Sequence, residues 1–423
     1  MRPSSAAGAD ADDLDTTLKA AALLHENGQS TGMTMIAVDR LNRGLGVRST
    51  LIPSWSSLLL VGDGPAAPAR VAATTPAAVN MRRVAAAMRI IDRAEDGPLD
   101  RDVVNREMAA AATESTSNTL AFAVACATGA AGLAVVFGAT DVLAVVLAAV
   151  SAALGGAIRR ALGRFGIGML AQAFAAATVA GLVGAVASHL NIGAAAGLVA
   201  VCPAMVLVPG PHVLNGALDL LALRITLGIA RVGYATLILA AIAAGLIIGL
   251  RLGGQTLAVS AADVHVPLYA DVPAAGVAAA SYPVYFSMPY RMIGWPVAAG
   301  MVAHALHWWA MTEWHLSLAT AAFLACLLVG AALVPVAYVL RMPFAAIGFA
   351  SVVALLPGVY IFRMLSGLVQ LPGTASPALL AATVSDGAVA SLVVTGMAVG
   401  LVVPMHIRDT IVASRVRRAA TRP

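Results

Sequence analysis

The hydrophobic pattern changes character near residue 118. Before it, apolar residues recur at helical or alternating spacing among polar ones. Leu14, Leu18, Ala21 and Leu24 share one face, which predicts an amphipathic helix from Asp15 to about Gly28. The residues ahead of it, with Ser4, Ala6, Asp10, Asp12 and Asp13, read as a disordered leader over 1–14. Met35, Val38, Leu41 and Leu45 predict a second helix over 33–45, ended by Gly46. Val47 to Val61 is apolar and rich in β-branched residues, and Gly62-Asp63-Gly64-Pro65 follows as a turn cluster. Arg70 to Thr75 then predicts a pairing strand. A helical region from Val79 to Ala112, broken near Gly97-Pro98, completes a small α+β head over 15–118.

From Thr119 onward, apolar runs of roughly 17–25 residues, long enough to cross about 30 Å of hydrocarbon, recur with short breaks. They fall at 119–137, 141–157, 167–188, 192–209 and 232–250, then at 272–288, 293–310, 316–337, 343–361 and 383–404. The expected architecture is therefore an all-α polytopic membrane protein with ten transmembrane helices behind a cytosolic α+β head. Its divisions are a first module over 119–250, an extracytoplasmic linker over 251–271, a second module over 272–404 and a basic cytosolic tail over 405–423.

Composition agrees with this pattern. Hydrophobic residues make up 60% of the chain and charged residues 11%, where a soluble domain carries about 25%. The head holds 12 of the 26 basic and 14 of the 21 acidic side chains, so the body is greasy and basic. With the head inside, twelve of the body's arginines, among them Arg159, Arg160, Arg164, Arg224, Arg231, Arg291, Arg341 and Arg408, fall on the cytoplasmic side. Arg251 and Arg363 alone fall outside. That asymmetry predicts both termini cytoplasmic in a bacterial inner (plasma) membrane, and it explains the basic pI without nucleic-acid binding. The head lacks the apolar segment of a signal peptide.

Cys126, Cys202 and Cys326 all sit in apolar runs without metal-ligand spacing, so no metal or other cofactor is expected. No Gly-rich phosphate loop or catalytic triad is visible, which argues against an ATPase or an enzyme.

The fourth and ninth runs end alike, in Val208-Pro209-Gly210 and Leu356-Pro357-Gly358. Pro357 lies 148 residues after Pro209. Pro-Gly pairs are common stop signals, but the matching position implies two five-span halves. An odd number of spans per half inverts one half relative to the other, the plan of many secondary transporters.

The segment PAMVLVPGPHVLNGALDLLALRITLGIARVGYATLILAAIAAGLIIG, from Pro203 to Gly249, resembles the bacterial threonine/serine exporter family, through Pro209, Gly210, Asn215, Asp219, Gly228 and Arg231. The head segment VDRLNRGLGVRSTLIPSWSSLLLVG and the later LLPGVYIFRMLSGL are similar to the same family. The chain departs from the family pattern at Leu218, where an Arg is frequent, and at Arg224, where an acidic residue is frequent. The resemblance implies a secondary transporter that exports threonine, serine or similar small amino acids by proton antiport. A homo-oligomeric assembly is left open. The rival readings are a membrane-anchored enzyme or a sensor whose head carries the activity.

A zwitterion needs donors for its carboxylate and acceptors for its ammonium, and broken helices supply both. Pro209, Gly210, Pro357 and Gly358 are therefore candidate substrate-binding positions, with Asn215 and Asp219 on one helix face. Arg363, at the repeat position of Asn215, is a candidate for the carboxylate, against a snorkelling role. Asp219, Asp386 and His304 are the candidate proton-coupling residues. Trp308 and Trp309 read as an outer aromatic belt.

Overall fold

The computed structural model describes residues 4–63, 68–77, 79–190, 192, 195–257, 266–339, 344–374 and 376–420, and only the backbone of 4–11, 345 and 409–420. Gly64-Pro65, Arg341 and the side chains of the last tail arginines lie outside these residues.

In the head, α1 (Ser4–Glu26) and α2 (Thr31–Leu45) lie over a three-stranded antiparallel sheet, β1 (Ser49–Pro53), β2 (Ser57–Gly62) and β3 (Ala69–Ala73), in the order β1-β2-β3. The first helix begins at Ser4, because the alanines ahead of Asp15 favour helix over coil. Ser30 caps α2 by accepting from the Met33 amide, and Gly46 closes it in the left-handed conformation that glycine adopts without strain. Leu51 pairs with Leu60 across the sheet. With Leu58 they turn one face onto Leu14, Leu18 and Val38. Two further helices, α3 (Met81–Asp92) and α4 (Arg101–Ala112), are capped by Asn80 and Asp100. Arg40 of α2 ties to Asp92 and to Glu95, closing the head around a buried ion pair.

The rest of the chain is helical. In the first module α5 (Thr119–Val136), α6 (Val142–Arg164) and α7 (Met169–Ala187) precede a short α8 (Ala195–Val206), then α9 (Gly210–Leu221) and α10 (Ile225–Leu252). In the second, α11 (Leu268–Tyr285), α12 (Gly294–Thr312) and α13 (Leu318–Val339) precede α14 (Phe344–Val352), α15 (Gly358–Gln370) and the long α16 (Pro377–Ala420). Six helices, α5, α6, α7, α10, α13 and α16, are long and apolar enough to cross a membrane, or eight spans if each bent pair counts as one. This is a membrane protein, with fewer unambiguous spans than the ten expected. The fourth run ends at its Pro-Gly break as α8, and α9 leaves it at a bend of 60°; the ninth run crosses its break, and the α14–α15 pair bends by 64° there. The runs at 272–288 and 293–310 form α11 and α12, which carry Asp271, two internal prolines and two histidines and stay outside the six.

The two modules pack by one scheme. Helices α7 and α10 are close partners, as are α13 and α16, while α5 meets α6 as α11 meets α12. Across the modules α5 packs on α11, α9 on α14 and α8 on α15. Small residues permit these approaches. A Cβ on Gly245 or Gly249 of α10 would lie 2.3 or 2.2 Å from a carbonyl oxygen of α7, and one on Gly400 of α16 would lie 2.6 Å from the Phe323 carbonyl. Backbone contact of this kind replaces the hydrophobic drive that lipid does not provide.

Candidate functional site

A cavity of about 720 Å³ opens where the head meets the first module. Its walls are the start of α5, the end of α6, the start of α7, the end of α11 and the break from Leu207 to His212. Head residues Ala77, Val79, Thr116 and Ser117 close one side. The volume lies within the range of small-molecule sites. Arg159, Arg160 and Arg164, on the last turns of α6, line it, and none of its described lining residues is acidic.

These arginines are held in place without carboxylates. Arg159 donates to the Tyr285 hydroxyl, and Arg164 donates to Thr119 Oγ1 at 3.0 Å. Arg160 donates to Thr116 Oγ1 at 2.8 Å, with its guanidinium 4.2 Å above the Phe122 ring. The Nε atoms of both Arg159 and Arg160 are buried without a hydrogen-bond partner.

His212, three residues beyond Pro209, lines the same cavity. Its ring lies 6.3 Å from that of Trp55 in the head's β1–β2 turn and 5.0 Å from that of Tyr234 on α10. The break is thus wedged between cavity and head. Gly210 opens α9 directly against the Phe349 ring of α14, where a Cβ would lie 1.7 Å from a ring carbon. Gly358 opens α15 against Met205 of α8 in the reciprocal contact, with a Cβ 2.6 Å from Met205 Cγ.

Asn215 and Asp219 do share a face of α9, and that face lies under the head. Asn215 Nδ2 donates to the Gly28 carbonyl at 3.1 Å. Thr31 donates its hydroxyl to Asp219 Oδ2 at 2.9 Å. The same oxygen lies 3.0 Å from Arg231 Nε on α10, and Arg224 reaches Asp219 Oδ1 at 3.3 Å. Arg231 is fully buried and its Nη2 approaches His25 of α1 at 3.5 Å. Burial and the Arg231 charge together push the His25 imidazole down from 6.5 to about 4, against a backbone hydrogen bond with Ser54 that raises it.

In the second module Arg363 on α15 pairs with Asp386 on α16 at 3.1 Å and lies 5.7 Å from the Tyr360 ring centroid. His304 on α12 pairs with Asp271 on α11 at 3.0 Å. The structure therefore brings Pro209 to the cavity wall, Gly210 and Gly358 to the contact between the two bent pairs, Asn215 and Asp219 to the head interface, and Arg363, Asp386 and His304 to separate acid–base pairs. Among the described residues no three of His, Cys, Asp or Glu gather as metal ligands would.

Sequence reasoning assigned Arg159, Arg160 and Arg164 to topology alone and passed over Asp271 and the head's Thr31 and His25. Two adjacent arginines inside the end of an apolar helix were the available signal, since a loop would serve topology equally well.

Residues 15–253 match a family model described as "Putative threonine/serine exporter", and residues 271–407 match a second described as "Threonine/Serine exporter, ThrE". No curated protein and no solved structure matches the chain. The two family matches cover the head and both helical modules, and the chain belongs to the threonine/serine exporter family of membrane transporters.

Proposed function

We propose that this protein exports threonine, serine or a similar small amino acid from the cytoplasm across the bacterial inner membrane in exchange for protons. The observation that carries the reading is the arginine-lined cavity against the Pro209 break. Arg159, Arg160 and Arg164 offer their guanidinium charges on the cavity wall to the substrate carboxylate. The break offers the Leu207 carbonyl to the ammonium, because Pro211, four residues on, supplies no amide hydrogen to bond it. Ser117 and Ser287 bring hydroxyls to the same wall, within reach of a hydroxylated side chain.

Ten spans in two inverted modules, with both termini in the cytoplasm, is the architecture we assign. Exchanging the modules maps α7–α10 onto α13–α16 and the α9–α14 contact onto α15–α8, which supports it. An odd number of spans per module then puts the two breaks in opposite orientations, as alternating access requires. Asp219 and Asp386, each tied to an arginine across the break helix and the next long helix, hold these modules closed at opposite faces.

The test loads cells with a threonine-containing dipeptide and follows threonine efflux with and without a protonophore. Deleting the protein slows efflux, the protonophore reproduces the slowing, and Arg160→Gln raises the internal threonine needed for half-maximal rate. Efflux unchanged by deletion refutes the reading.

A further inference from the structure

The buried carboxylates of the helical body are not equivalent. Asp219 faces Arg231 and Arg224, and Asp386 faces Arg363. A guanidinium stays charged at any physiological pH. Protonating Asp219 would therefore strand the buried Arg231, and protonating Asp386 would break the pair that holds Arg363, so proton binding is disfavoured at both. Asp271 differs, because its partner is His304, the side-chain type that gains and loses a proton near neutral pH. An Asp–His pair is tolerable with the imidazole protonated or neutral, so it takes up a proton without stranding a charge.

The position of the pair matches its chemistry. Met81 of the head bonds the Phe286 carbonyl, so the far end of α11 is the head side. Asp271 stands fourteen residues earlier on that helix, about 21 Å away at the helical rise. His307, beside His304 with ring centroids 5.8 Å apart, lies 148 residues after Arg159, the same offset that separates the two breaks. In the second module the pair thus stands where the arginine-lined cavity stands in the first. There Trp308 Nε1 donates to the Val266 carbonyl at 2.8 Å. His304 Nδ1 faces Asp271, while its Nε2 is buried with no hydrogen-bond partner.

The elements packed on α11 and α12, namely α5, α13 and α14, bring no Asp, Glu, Lys, Arg or His among the described residues. Their titratable side chains are Cys126, Cys326 and Tyr338. On the pair's own helices Tyr269 and Glu313 are exposed and Arg291 precedes α12 at the head end. Asp263 and His265 lie outside the described residues.

We propose that Asp271 and His304 form the proton-binding site of the transporter, reached from the face opposite the head. The proton comes from water on that face onto His304 Nε2, the imidazolium is held by the Asp271 carboxylate, and the proton leaves toward the head side as the modules exchange. An O–H bond of a hydronium ion breaks as the N–H bond forms, and release on the head side re-forms O–H on water there. This rests on the proton-exchange reading above.

The test reconstitutes the full chain in proteoliposomes and compares threonine/threonine exchange with threonine accumulation driven by an imposed pH gradient. Asp271→Asn and His304→Gln are expected to retain exchange and lose gradient-driven accumulation. Threonine added to detergent-solubilised wild-type protein in weakly buffered solution should release a proton, a readout that needs no variant. Variants that still accumulate threonine like wild type overturn the assignment alone. So does loss of both transport modes in variants that elute as folded protein. Wild-type protein indifferent to the pH gradient, with no proton released, overturns proton exchange itself.

Discussion

The two bent helix pairs have one geometry and opposite chemistry. Both break at Pro-Gly, by 60° and 64°, and each glycine packs on the other pair. In the first, the acid stands on the break helix and the base on the next long helix, as Asp219 and Arg231. In the second the base comes first, as Arg363 and Asp386. The first pair is sealed by the head, through Thr31, His25 and Gly28. The second pair keeps some exposure, with the Arg363 side chain 14% and the Asp386 side chain 6% accessible. The fold repeats, then, while each bent pair carries its own ion pair.

The sharpest way to break this comparison is to remove one acid from each pair. Asp219→Asn leaves Arg231 fully buried beside a neutral amide, which should cost about 3–5 kcal/mol. Asp386→Asn should cost less, because Arg363 can turn toward Tyr360 and water. Thermal unfolding in detergent reads both, and equal shifts would show that sealing by the head contributes nothing. Swapping the charges separates them further. Arg363→Asp with Asp386→Arg should recover most of the lost stability. Asp219→Arg with Arg231→Asp should not, since the Thr31 hydroxyl and Arg224 both address an acceptor at position 219.

The glycines test the reciprocal contact. Gly210→Ala forces its methyl into the Phe349 ring, and overpacking of this kind costs about 1–3 kcal/mol. Gly358→Ala meets only the Met205 side chain, which can rearrange, so its effect should be the smaller of the two. Unfolding and threonine efflux measured on both variants check the order. A more damaging Gly358→Ala would mean that Met205 is as fixed as the ring.

What was legible in the sequence is what leaves a local trace. Apolar runs located α5, α7, α10, α13 and α16, and Pro-Gly located both bends, because proline and glycine terminate helices whatever surrounds them. The pattern could not say at what angle α9 leaves the run at 192–209, or that the run at 343–361 folds as two helices, since hydropathy counts apolar residues and is blind to direction. Of the head sheet, the β-rich stretch at 47–61 and the strand at 70–75 were visible, but not the turn at Ser54–Ser56 that divides the stretch into β1 and β2. Partners distant along the chain were not. Thr31 reaches Asp219 across 188 residues and Asn215 reaches the Gly28 carbonyl across 187. Asn215 and Asp219 stood out as polar residues in an apolar context, but nothing nearby told an interface with the head from a substrate contact. Arg159 and Arg160 were hidden by an adequate explanation, since positive-inside topology accounts for arginines whether or not they bind anything.

The smallest effect, and the one that isolates the head's part in the asymmetry, is its pH dependence. His25 is neutral in the docked head, with its imidazole held down to about 4 by burial and by Arg231. Released into water it returns to about 6.5, so the undocked state binds more protons between those values. Docking is therefore complete above pH 6.5, weakens as the pH falls through that window, and loses nothing more below about 4. At pH 5.5, one unit below the free imidazole value, the loss is about 1.4 kcal/mol, a tenfold shift toward the undocked head. Limited proteolysis of the segment joining α4 to α5 reads that shift directly. His25→Gln should reduce the pH dependence between pH 7 and pH 5.5 and His25→Gln with His212→Gln, which also faces the head at Trp55, should remove it, while Asp271→Asn, in the second module, should leave it as in wild type. A wild-type head equally protected at both pH values would mean that His25 stays shielded when the head lifts, and the lock on the first break would then lie with Asp219 and Arg231 alone.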